Sequence, residues 1–189
     1  MQTWGNEMAN NLLFRNIVTA SGYKAFYPDL TSRNGSSLPF RFAIGERFVE
    51  QGEPVLCFNG FHFCLNVFNL FKWYPVSFDI RICRVDAFGD YTVSRDGDKA
   101  CASEILVKEE LSPEDIVLAL LHDGTAIPGD TQDVLNRLWY SIEGWRMYKC
   151  WAGQPWHCDV GEKWLQTRYR EYRAVLKERI PKEVRKKCL

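Results

Sequence analysis

Apolar and polar positions follow two different periods along this chain, and the change comes near Leu111. Before it lie short apolar runs: Phe40-Arg41-Phe42-Ala43-Ile44, Val55-Leu56-Cys57-Phe58 and Phe61-His62-Phe63. Asn34-Gly35 and Asn59-Gly60 punctuate them, and such pairs favour tight turns between strands. Phe78, Ile80 and Ile82 alternate with Asp79, Arg81 and Cys83, the period of a half-buried strand. Ile105-Leu106-Val107 is a further strand-like run, after the loop Arg95-Asp96-Gly97-Asp98.

Beyond Leu111 the period becomes helical. Ser112-Pro113-Glu114-Asp115 sets a capping serine, a first-turn proline and two carboxylates at the positive end of a helix dipole. A second helix is predicted from about Thr131 to Tyr148, with Val134, Leu135, Leu138, Trp139, Ile142 and Trp145 on one face. A third begins near Val160 and ends before Pro181, whose ring disfavours helix at Ile180. A strand-rich half followed by a helical half is an α+β chain. The division gives a mixed β core over residues 1–111 and a helical region over 112–189 packed on it.

Composition narrows the class. Hydrophobic residues make up 46% of the 189, enough for a buried core, and formal net charge is zero, so no global field marks a partner. The charge is uneven, however: Glu162 to Lys187 holds 10 Lys and Arg against 4 Asp and Glu. Arg168, Arg170, Arg173, Lys177 and Arg179 on that helix are candidate contacts for nucleic acid or a host protein, although a solvated helix face has the same composition. No window approaches the roughly 20 apolar residues of a membrane helix, and no leader pattern opens the chain. The expected location is the cytoplasm, with no membrane partner. Its 7 cysteines are therefore expected as thiols.

Three stretches carry candidate chemistry: Gly22-Tyr23-Lys24-Ala25-Phe26; Asn59-Gly60-Phe61-His62-Phe63-Cys64 running on to Tyr74; and Ser103-Glu104-Ile105-Leu106-Val107. Their order, over about residues 22 to 120, resembles the ADP-ribosyltransferase fold and its poly(ADP-ribose) polymerase branch. Gly60-Phe61-His62-Phe63 is similar to that family's glycine-led strand, with His62 where the family has tyrosine, and Ile82 to Gly89 is similar to its strand ending in glycine. The resemblance implies NAD as substrate and Glu104 as the catalytic acid, assisted by His62. It also implies Tyr23, Lys24, His62 and Tyr74 as nucleotide contacts, with Tyr23-Lys24 standing where the family carries His or Arg. The chain is similar as well to bacteriophage and bacterial proteins sharing the run from Tyr-Lys-Ala-Phe to Gly-Phe-His-Phe-Cys, which implies a phage or prophage origin.

The chemistry is coherent. Loss of nicotinamide leaves positive charge on the ribose, and a carboxylate stabilises it, while an imidazole or aromatic plane stacks on the departing ring. Plainer roles fit the same residues. His62 also suits a local hydrogen bond on a strand, and Glu104 suits the solvent face at a strand entry. Cys57, Cys64 and Cys83 fit small buried hydrophobes. Cys150, His157 and Cys158 lack the spacing of a zinc module, so no metal is expected. Two functions remain open: ADP-ribose transfer to a host macromolecule, or a catalytically inactive nucleotide-binding or phage–host interaction module that uses the basic helices.

Overall fold

A computed structural model describes residues 17–32, 40–74, 77, 79–123, 132–142 and 162–180. The strands are β1 (Val18–Phe26), β2 (Arg47–Val49), β3 (Phe61–Phe63), β4 (Arg81–Val93) and β5 (Ala100–Glu110). The helices are α1 (Val67–Trp73), α2 (Pro113–Asp123), α3 (132–142) and α4 (Glu162–Arg179). The architecture is α+β. Every described strand pair is antiparallel.

Two long strands dominate. β4 and β5 form a hairpin whose turn is closed by Ser94, which donates its N–H to the Lys99 carbonyl and its hydroxyl to Asp98. β1 pairs with the outer edge of β4, and β2 and β3 lie end to end along the outer edge of β5. The sheet then curls until its ends meet: Tyr23 on β1 exchanges both backbone bonds with Cys64, just after β3, at 2.7 and 2.8 Å. Gly22 permits this approach. A Cβ there would collide with the Cys64 carbonyl and reach within 2.7 Å of the Phe63 ring.

Each face of the sheet has its own core. One is aromatic, with Phe26, Phe42, Phe61 and Phe63 packed on Val85, Ala87, Ile105 and Val107. The Phe40 to Ile44 run, expected as a strand, folds over this face instead, with the Phe42 ring 5.0 Å from that of Phe26. The other core joins Ala25 and Ile82 of the sheet to Leu70 of α1, Ile116 and Leu120 of α2, Leu135 and Leu138 of α3, and Tyr172 and Leu176 of α4. Local chemistry fixes the helix starts. Asn66 Oδ1 accepts from Asn69 N–H at α1, and Ser112 Oγ accepts from Asp115 N–H at α2.

The basic helix is partly inward. Arg168, Tyr172, Leu176 and Ile180 recur every four residues and form a buried row, which places a guanidinium in the core. Arg168 Nη1 donates to the Leu111 carbonyl at 2.8 Å and lies 3.8 Å from Glu110, which is itself bound by Arg81. Arg168 is therefore not displayed for nucleic acid, because its position on the helix points it inward. Arg170, Lys177 and Arg179 are exposed and Arg173 is half-buried.

Candidate functional site

The Asn59-Gly60 turn leads the chain into β3 against β5, and Gly60 adopts φ +96° there. A side chain at Gly60 would reach within 2.8 Å of the Ala102 carbonyl and the Cys101 sulfur, so only glycine fits. His62 follows, half-buried, opposite Cys101 on β5. Its Nε2 accepts the backbone N–H of Cys57 at 2.7 Å. That bond needs the neutral ring. Burial, then the charges of Lys24 and Lys99, hold the imidazole below its usual pKa, partly offset by a backbone bond to Gly60.

Lys24 is almost fully buried, 1% exposed, and donates from Nζ to the His62 carbonyl at 2.8 Å. Its ammonium lies 5.4 Å from the centre of the Phe42 ring and 5.7 Å from that of Phe26. No described carboxylate forms an ion pair with it. Burial lowers its pKa to about 8, against the opposing pull of the Cys64 and Cys101 thiols.

Lys24, His62 and Tyr74 come together on the wall of one cavity of about 70 Å³, with Trp73 and Lys99 beside them and no acidic residue among the described residues of the lining. Tyr74 also faces a larger, mainly apolar cavity of about 210 Å³, whose walls include Phe26, Tyr27, Ser77 and Asp79. Tyr23 and Glu104 line neither cavity. Tyr23 packs on the helix-side core, with the Arg84 guanidinium 5.9 Å from its ring centre. Glu104 accepts from Arg47 Nε at 3.0 Å and Nη2 at 2.5 Å, and the carbon of that guanidinium lies 3.9 Å from the centre of the Phe88 ring. Two residues singled out by the resemblance thus stand apart from the three that converge.

Cys57 differs most from its sequence expectation. Val55-Leu56-Cys57-Phe58 reads as a buried strand, yet it is a turn closed by Val55 and Asn59. Cys57 is exposed at φ +65°. Its sulfur accepts from Lys99 Nζ at 2.9 Å, and that ammonium sits 3.9 Å from the centre of the Trp73 ring. Lys99 and Trp73 escape a sequence reading because one follows a hairpin turn and the other ends a helix, with no shared spacing to link them. Cys64 and Cys83 are buried as expected, and burial pushes both thiols up to about 12.

No group of three His, Cys, Asp or Glu side chains suited to a metal ion occurs among the described residues. Cys150, His157, Cys158 and Trp145 lie outside those residues. No described helix is long and apolar enough to cross a membrane.

No curated protein and no solved structure matches the chain. A family model described as a domain of unknown function, DUF7666, matches residues 20–119. That span holds all of β2 to β5 and α1, nearly all of β1 and most of α2. It covers more than half of the chain, which belongs to this family.

Proposed function

We propose that the protein binds a nucleotide-class ligand, an aromatic ring joined to an anionic group, in the two cavities that share Tyr74. The carrying observation is that Lys24, His62, Tyr74 and Lys99 line one small cavity without a carboxylate among them. A buried ammonium with no acidic partner among the described residues favours an anion nearby. The larger cavity offers Phe26, Tyr27 and Tyr74 to a ring, and Ser77 and Asp79 to its polar edge. NAD is the first candidate. Drug-sized ligand pockets span roughly 300–1,000 Å³, so these cavities suit a nucleoside phosphate portion, and the rest of a dinucleotide would lie outside.

Isothermal titration with NAD, AMP and ADP-ribose tests this. Binding that weakens at least tenfold in Tyr74→Ala and Lys99→Met supports it. No heat with any of the three at millimolar concentration overturns it.

Transfer of ADP-ribose to a host macromolecule in the cytoplasm is a second reading. One observation favours it: Glu104 is a carboxylate held in a fixed orientation on β5, the strand that also pairs with β3. On this reading Arg47 must release Glu104 when substrate enters. A host protein or nucleic acid would meet Arg170, Lys177 and Arg179 of α4, which are exposed. Nicotinamide release that falls about a hundredfold in Glu104→Gln supports transfer. Binding without release by the unaltered protein leaves the nucleotide-binding reading and removes this one.

A further inference from the structure

We propose that Cys57 and Cys101 form a peroxide-reactive dithiol, in which Cys57 is oxidised first and Cys101 resolves the product as a disulfide. Neither half of this site belongs to the ligand cavity. Cys57 and Cys101 are not among its lining residues, although Lys99 touches both sites.

The geometry first removes the alternatives. A thiol that transfers acyl groups needs a base and free N–H donors for an oxyanion. Cys57 has neither. The N–H of Cys57 is bound by His62 at 2.7 Å, and those of Phe58 and Asn59 by the Val55 carbonyl at 3.0 and 2.9 Å. His62 Nε2 is occupied by the same bond and cannot take a proton from sulfur. Attack by a thiolate on a peroxide oxygen needs no oxyanion hole. It needs an accessible sulfur with positive charge beside it. Cys57 is exposed, and the Lys99 ammonium lies 2.9 Å from its sulfur, held in place by the face of Trp73.

The second thiol lies on the other side of the same turn. Cys101 Sγ donates to the Asn59 carbonyl at 2.9 Å. It is also the cross-strand neighbour of His62, whose ring holds Cys57. One sulfur is thus exposed and bonded by the Lys99 ammonium, and the other is buried and bonded to a carbonyl of the same turn.

The chemistry balances with hydrogen peroxide as oxidant. The Cys57 thiolate attacks one peroxide oxygen, the O–O bond breaks, and hydroxide leaves, giving a sulfenic acid. The Cys101 thiol then attacks the Cys57 sulfur, the S–O bond breaks, and water leaves with the thiol proton. Two sulfurs have each lost one electron and the peroxide is reduced to water. Burial pushes the Cys101 thiol up to about 11, which slows the second step because the thiolate is the attacking form, and dimedone can compete for the sulfenic acid.

Peptide-resolved mass spectrometry of the full chain, treated with limiting hydrogen peroxide with and without dimedone, tests the assignment. The expected products are a dimedone adduct on Cys57 at early times and a Cys57–Cys101 linked peptide later. Cys101→Ser, which keeps a donor for the Asn59 carbonyl, should stop at the adduct. Lys99→Met should slow Cys57 oxidation about tenfold or more. If Cys57 is oxidised no faster than buried Cys83, the proposal is wrong. A disulfide from Cys57 to any other cysteine, or a cross-link to Lys99, overturns the role of Cys101. An unchanged rate in Lys99→Met overturns the role of the ammonium.

Discussion

The Lys24 ammonium donates to the His62 carbonyl at 2.8 Å, in the gap where β1 and β3 no longer bond to each other through their backbones. Among the described residues the backbone bonds there join Tyr23 to Cys64, one residue before Lys24 and two after His62. A carbonyl left alone there would be a buried acceptor without a partner. Lys24 therefore extends the ladder with a side chain, which is a structural role in addition to any contact with ligand.

This arrangement has a pH signature. Lys24 takes a proton at about 8 in the fold and at 10.5 unfolded. Between those values the unfolded chain holds the proton that the folded chain has released, so the Lys24 contribution to stability rises with pH. At full extent the change is on the order of 3 kcal/mol. Denaturant titrations of the protein and of Lys24→Met should show their stability difference growing in favour of the natural residue as pH rises from about 8. A constant difference would contradict the burial of a charged Lys24.

His62 gives the opposite end of the scale. Its folded pKa lies below the usual 6.5, because burial and two lysines oppose the charged ring. As pH falls through 6.5 the unfolded ring takes up a proton that the folded ring refuses, so stability is lost. Protonation at Nε2 would also set a donor against the Cys57 N–H. His62→Gln should flatten the acid limb of the stability curve, and amide exchange in residues 55–59 should speed up in His62→Ala. Identical acid limbs for the protein and the glutamine variant would deny His62 this role.

Gly22→Ala should destabilise by about 1–3 kcal/mol, the range for overpacking. The new methyl group meets the Cys64 backbone, which cannot rotate away as a side chain would. Gly97→Ala is a useful comparison, since a Cβ at Gly97 meets nothing and only its left-handed φ of +67° is strained. Equal melting temperatures for the protein and Gly22→Ala would mean that the sheet does not close at Tyr23 and Cys64.

Arg168→Met keeps the buried stem and removes the bond to the Leu111 carbonyl. The expected loss is about 1–3 kcal/mol, with no effect on any salt-dependent retention on DNA. Replacing Arg170, Lys177 and Arg179 together by Gln should do the reverse, lowering retention and its salt slope with little change in stability. Retention that falls in Arg168→Met while its fold stays intact would return Arg168 to the surface.

The legible parts of the sequence were those whose cause is local. Ser112 caps α2 through a bond made within three residues. The last helix ends before Pro181 and spans Glu162–Arg179. The Gly60-Phe61-His62-Phe63 strand follows from its turn and alternation. Failures came where a distant partner decides. Val55 to Phe58 is as apolar as a buried strand, but no described strand pairs with it, and Phe58 ends 89% exposed. The Ile105-Leu106-Val107 run gave no sign of an 11-residue strand, because Lys108, Glu109 and Glu110 are ordered by β4 across the hairpin. At the site, spacing could link Lys24 with His62 only loosely, and it placed Glu104 beside them, whereas Arg47 on β2 holds that carboxylate elsewhere.

The family match ends at residue 119, but the core it needs continues beyond that point. Leu135, Leu138, Ile142, Tyr172, Leu176 and Ile180 all complete the helix-side cluster with Ala25, Ile82 and Leu70. A fragment trimmed to the matching span would keep its aromatic face sealed and present the opposite face to water, a patch that invites self-association. In this chain the family segment is therefore not a portable module. Grafting it into another protein would require bringing its helical cover along, or designing a replacement for that cover.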